Sequence, residues 1–223
     1  MNKRRVAILV NPRGRDTESF VQAAQQEVEK TIRMPSGYFI EWGGNFKNLQ
    51  QAKSRLGVLT PLVLLLVLGM IYVAFRNGYE TTLIFSCIPL ALVGGVLGLM
   101  LNGLPFSISA GVGFVALSGI AVLNGVVLIN CFNDLHLKGV KGMALIQQGT
   151  DLRIRPVLMT ALVEIFGFLP MMLSTGVGSE VQRPLASVVI GGVLSSTLLT
   201  LAVLPVLVSL LEKKIWSEKE VEL

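Results

Sequence analysis

The sequence predicts a mainly α-helical, polytopic membrane protein with five transmembrane helices, preceded by a small α+β (β-α-β) piece. Three observations predict it. Of 223 residues, 52% are hydrophobic and only 15% charged, where soluble domains average roughly 25% charged. Mean hydropathy is +0.67, too apolar for one core to hide. Charge is also missing from long stretches: none occurs from Thr81 to Asn133, 53 residues, or from Pro184 to Leu211, 28 residues. A membrane helix takes about 20 apolar residues, so the first stretch holds two. Soluble enzyme, secreted disulfide scaffold and disordered binder are excluded as whole-chain descriptions.

The elements follow in order. Residues 1–45 read as the β-α-β piece. Val6-Ala7-Ile8-Leu9-Val10 is strand-sized and stops at Asn11-Pro12-Arg13-Gly14, which has turn chemistry. Asp16 or Thr17 caps a helix with Phe20, Ala23, Ala24, Val28 and Ile32 at helical spacing. Pro35-Ser36-Gly37 ends it, and Tyr38–Trp42 reads as a second strand closed by Gly43-Gly44. A unit this small cannot bury a stable core by itself. Residues 46–56 form an amphipathic helical lead-in. The membrane region, 57–211, divides into spans of about 57–75, 82–101, 106–131, 156–173 and 185–210. Breaks fall at Arg76–Glu80, at Asn102-Gly103-Leu104-Pro105, in a polar loop over 134–155 with room for a short surface helix, and at Ser174–Arg183. Pro156 suits the first turn of the fourth span. Residues 212–223 form a tail.

Five spans place the termini on opposite sides. One set of loops and tail carries Arg76, Lys138, Lys141, Arg153, Arg155, Lys213, Lys214 and Lys219, while the other side's short loops carry Arg183 alone. The basic side is expected to be cytoplasmic, which puts the N-terminal piece in the periplasm of a Gram-negative cell. The net charge of +5 is thus read as a topology signal, with no nucleic-acid partner. The opening Met-Asn-Lys-Arg-Arg leads into an apolar run too short for a cleavable signal. Cys87 and Cys131 read as small buried hydrophobes. His136 is the only histidine, so no multi-histidine metal site forms within the chain, and no metal residues, cofactor or catalytic residues are expected. The chain reads as no enzyme.

Within the spans one residue stands apart. Glu164 lies about nine residues into the fourth span, flanked by Leu162-Val163 and Ile165-Phe166. A charge at that depth is expensive, which makes Glu164 a candidate proton-relay group, or else a structural carboxyl bonded to a neighbouring helix. Asn124, Asn130 and Ser118 read as intramembrane polar packing groups. Small residues at Gly94/Gly98, Ser107/Gly111, Ala121/Gly125 and Gly191/Ser195 allow close helix approach. Met70, Met100, Met159, Met171 and Met172 fall within spans; thioethers suit soft Cu(I) or Ag(I), but methionine is more often core filler.

Three stretches are familiar together: Gly113 to Gly125, through Ser118-Gly119 and Asn124-Gly125; Arg153-Ile154-Arg155-Pro156 to Thr160-Ala161-Leu162; and Glu180-Val181-Gln182-Arg183-Pro184, continuing to Leu204-Pro205. They resemble the C-terminal part of the resistance–nodulation–division (RND) transporters, in particular the heavy-metal efflux branch. Val10–Asp16 and Trp42–Phe46 resemble the end of that family's last periplasmic porter subdomain. The resemblance implies the end of the porter region and the final five helices of a proton-driven inner-membrane pump exporting heavy-metal ions. It also implies partners: the N-terminal portion of the pump, homotrimer neighbours, a periplasmic adaptor and an outer-membrane channel. The drug-exporting branch carries a lysine in the helix matching 106–131. None is present here, which favours the metal branch. Glu164 stands where the family usually has a small or apolar residue, so no relay role passes to it by resemblance. The competing readings are a non-transporting membrane scaffold, an inert truncated-gene product, and a drug-exporting pump fragment.

Overall fold

In a computed structural model, residues 6, 8, 10, 17–32, 35, 40, 42, 45–176 and 178–221 are described. They contain six helices: α1 (Thr17–Thr31), α2 (Asn45–Phe75), α3 (Gly78–Leu101), α4 (Ile108–Leu137), α5 (Met143–Met172) and α6 (Ser179–Val221). Two compact units divide the chain, Met1–Gly57 and Val58–Leu223.

The first unit corrects the expected β-α-β piece. Among the described residues there is a helix but no strand. Val6, Ile8 and Val10 are 92%, 84% and 61% exposed, and Ile40 is 45% exposed. The physical reason is pairing. A strand needs a neighbour for its backbone groups and an apolar surface for one face, and the described residues supply neither to these positions. The helix between them holds because Phe20, Val21, Ala24 and Val28 are half-buried on one stripe, with Lys30 in the last turn favouring the dipole. The predicted turn at 11–14, the Asp16 cap and Gly43-Gly44 lie outside the described residues.

Among the described residues five helices are long and apolar enough to cross a membrane: Ser54–Phe75, Gly78–Leu101, Ile108–Leu137, Met143–Met172 and Ser179–Leu211. α6 is the hub, packed against α3, α4 and α5; α4 also packs on α3 and α5. α2 leans on this group through buried Ile71 and half-buried Val67 and Phe75, while Val58, Leu62, Leu65, Leu66 and Val73 are exposed, as lipid permits. The α2–α3 turn is two residues long. Arg76 adopts φ 50°, a left-handed helix stop. Asn77 then caps α3 by accepting from the Tyr79 and Glu80 amides.

The 134–155 region folds differently from the expected loop. α4 runs to Leu137 and α5 starts at Met143, so the connection shrinks to 138–142, with Gly139 at φ 86° and Gly142 at φ 66°. Leu145, Ile146, Gly149, Val157 and Ala161 are buried along one face, and that continuous stripe carries the helix straight through Pro156. At 30 residues α5 is about 45 Å long, against about 30 Å of hydrocarbon. Its first turns therefore stand outside the bilayer, as does the end of the 43-residue α6.

The closest approach is between α3 and α6. A Cβ on Gly98 would collide with the Ser187 carbonyl, and one on Gly94 would collide with the Ser195 side chain and lie 2.6 Å from the Gly191 carbonyl. A Cβ on Gly191 would lie 2.6 Å from the Gly94 carbonyl. Two of the small-residue pairs read from the sequence therefore face each other. Their missing side chains bring the two backbones together, as in membrane helix pairs generally, and Ser195 Oγ donates across the seam to the Leu90 carbonyl at 3.2 Å.

Candidate functional site

The chemistry available to this fold lies in two places, the polar groups inside the spans and a cluster where α3, α4 and α6 meet at one end.

Inside the spans, Glu164 sits on α5 half-buried, and its Oε2 is buried with no hydrogen-bond partner. The register explains its placement. It follows buried Val157 and Ala161 by seven and three residues, while its neighbours Leu162, Val163 and Phe166 are 51%, 73% and 65% exposed. The carboxyl thus belongs to the packed edge of α5, not to the lipid face.

Ser118 and Asn124 are buried on α4, whereas Asn130 is exposed. Ser118 Oγ donates to the Val115 carbonyl of its own helix at 2.6 Å, so it braces α4 rather than bridging helices. The fold does not join these residues to Glu164 by any hydrogen bond. Met70, Met100 and Met159 are 65%, 71% and 68% exposed, on the outer surface and not along a shared interior track.

Sequence reading missed two sets of polar residues. One is a set of hydroxyls on α6: Ser187, Ser196, Thr197 and Thr200 are all buried. Ser187 Oγ and Thr197 Oγ1 have no partner, and Thr200 is hydrogen-bonded to the Cys87 thiol on α3. These residues were hidden because hydroxyls do not interrupt an apolar window. Cys131, on α4, turns its thiol to the Gly149 carbonyl of α5 at 3.8 Å.

The second set clasps the helix ends. Asn77 Nδ2 donates to the Ile215 carbonyl at 2.8 Å. Trp216 Nε1 donates to Asn133 Oδ1 at 3.1 Å, and Asn133 Nδ2 donates to Glu80 Oε2 at 3.2 Å. The Trp216 ring stacks on His136 with centroids 4.6 Å apart. Glu80, Ile215 and Trp216 are buried. This is why α6 continues past Leu211: its extension is anchored over the ends of α3 and α4. The signal available in the sequence was Asn77 followed three residues later by Glu80, the spacing of a helix start. Trp216→Ala is expected to destabilise the chain by about 3 kcal/mol, since it removes both a large buried ring and the partner of Asn133. Thermal unfolding in detergent followed by helical circular dichroism checks it, an unchanged midpoint contradicting the clasp.

A model of the AcrB/AcrD/AcrF family matches residues 1–212. The cobalt-zinc-cadmium resistance protein of Cupriavidus metallidurans is 50% identical over 95% of this chain and 20% of its own length. The nickel and cobalt resistance protein of the same organism is 49% identical over 95% and 20%. A cation efflux system protein of Escherichia coli K12 is 34% identical over 89% and 20%. Among solved structures, a heavy metal efflux pump superposes with a TM-score of 0.73 at 40% identity, covering 90% of this chain and 20% of that one. The chain therefore spans about a fifth of the length of these relatives.

Proposed function

The chain belongs to the AcrB/AcrD/AcrF family of RND transporters, and from that premise we propose that it is the C-terminal part of a proton-driven pump exporting heavy-metal ions, inactive without the preceding portion. One observation carries the reading: half of its residues match a cobalt-zinc-cadmium resistance protein across 95% of the chain. The five apolar helices support a multi-pass protein of the inner membrane. The bias of Lys and Arg toward one set of helix ends supports a cytoplasmic C-terminus and a periplasmic N-terminal segment. The working assembly in this reading is a homotrimer of the whole pump with a periplasmic adaptor and an outer-membrane channel. The chain itself carries no enzymatic activity.

Glu164 is the proton-exchanging group proposed for this part of the pump. Its support is the buried, unpartnered Oε2 on the packed edge of a membrane helix, a position where ionisable side chains are costly and usually functional.

A strain lacking both this chain and the preceding portion is expected to lose tolerance to at least one of cobalt, zinc, cadmium, nickel, copper or silver. Restoring this chain alone should leave the sensitivity in place, and restoring it with the preceding portion should remove it. Unchanged tolerance to all six metals would overturn the reading in favour of a non-transporting scaffold, and dye accumulation without metal sensitivity would point to a drug exporter.

A further inference from the structure

Two buried atoms in Val58–Leu223 belong to side chains of opposite charge and have no hydrogen-bond partner: Glu164 Oε2 on α5 and Arg183 Nε on α6. α5 and α6 pack against each other and are joined by residues 173–178. Glu164 lies eight residues before the end of α5 and Arg183 four after the start of α6. In antiparallel helices rising 1.5 Å per residue, their Cα atoms differ in height by about 6 Å, close to one turn. The long stem of an arginine covers that height.

Among the described residues of α4, α5 and α6, nothing else at this end fits either group so well. From Lys141 onward, Arg183 is the only basic residue between Arg155 and Lys213, and Glu164 and Glu180 are the only acidic ones between Asp151 and Glu212. Glu180 is exposed in the first turn of α6 and leaves Arg183 Nε unpartnered. The helices packed on α5 are α4 and α6. The titratable side chains of α4, Cys131, Asp134 and His136, lie in its last two turns at the opposite end, and those of α6 beyond Arg183 begin at Glu212.

We propose that Arg183 is the counter-ion of Glu164, a positioning residue that closes on the carboxylate when Glu164 gives up its proton and releases it when the proton returns. The proposal rests on reading Glu164 as a proton-exchanging group. The proton passes to and from water, so only the ion pair is made and broken. Separated and half-buried, each group bears a desolvation cost that its pairing offsets. The arginine stem covers the height between them, so the pair closes and opens by side-chain motion alone.

The test uses the full chain in lipid nanodiscs and reads proximity and charge separately. With Cys87 and Cys131 replaced by alanine, Glu164→Cys/Arg183→Cys is treated with a short bifunctional thiol reagent, beside Val163→Cys/Arg183→Cys on the outward face of α5. The Glu164 pair should cross-link at least tenfold faster, and equal or reversed rates overturn the proposal. In the second arm, Glu164→Arg and Arg183→Glu should each lower the unfolding midpoint, and the swapped double variant should recover at least half of the loss. Arg183→Lys should stay near the parent, and additive losses in the double variant overturn the pair. Neither arm depends on transport. Absence of the pair in a pump silenced by Glu164→Gln removes Arg183 and keeps the relay. A demonstrated pair in a pump indifferent to Glu164→Gln reduces the contact to structure and overturns the counter-ion role.

Discussion

Gly98→Leu is expected to unfold the α3–α6 seam and to cost about 3 kcal/mol of stability. A Cβ at Gly98 would meet the Ser187 carbonyl, and the Gly191 Cα lies 3.2 Å from the same point. The obstacle is backbone, which cannot rotate aside as a side chain can. α6 is the helix on which α3, α4 and α5 all pack, so pushing it away from α3 loosens every interface at once. Gly57 and Gly69 on α2, where an added Cβ meets nothing within 4 Å, are the controls: Gly69→Leu is expected to leave the unfolding midpoint within about 0.5 kcal/mol of the parent. Reversible unfolding in mixed detergent gives both values. Equal effects at Gly98 and Gly69 would mean that the seam does not hold the bundle.

Glu164→Gln is expected to reduce proton-coupled metal export by the assembled pump to background, while the chain continues to fold and to insert. Glutamine fills the same space, so packing on α5 is kept, but it cannot take up and release a proton. Metal-driven proton flux in vesicles containing the whole pump measures it, with Glu164→Asp expected to retain part of the rate. Full flux in Glu164→Gln would leave the carboxyl a structural role only. The contrast with Trp216→Ala is informative: that substitution should lower stability, whereas Glu164→Gln should lower flux and spare stability.

Much of this was legible beforehand because the bilayer reads composition directly. Stretches without charge over 81–133 and 184–211 can satisfy their backbone in lipid only as helices. The Gly94/Gly98 and Gly191/Ser195 spacings marked close approach, although not that the two pairs would face one another. Less legible were features set by partners distant in sequence. Val6 to Val10 has a strand's composition, yet composition cannot supply the neighbouring strand that makes one, and Val6, Ile8 and Val10 stand exposed. Leu145 and Ile146 fall in the stretch expected as a polar loop with room for a short surface helix, because the polar residues around them mask a stripe that only the adjoining α4 reveals. The tail beyond Leu211 looked like solvent-exposed chain, since nothing local says that Trp216 will find Asn133, 83 positions away.

By itself, then, the sequence determined that the chain spans a membrane five times, where its charges fall, and that a lone carboxyl lies within the fourth span. Those are one-dimensional properties, fixed by what lipid will accept at each position. The tertiary structure decided which helix is the hub, that α3 and α6 meet backbone to backbone, that α6 is clasped at Asn77 and Asn133, and that Glu164 and Arg183 lie unpartnered on adjoining helices. These depend on side chains far apart in the chain arriving at the same height and face, which no local pattern encodes.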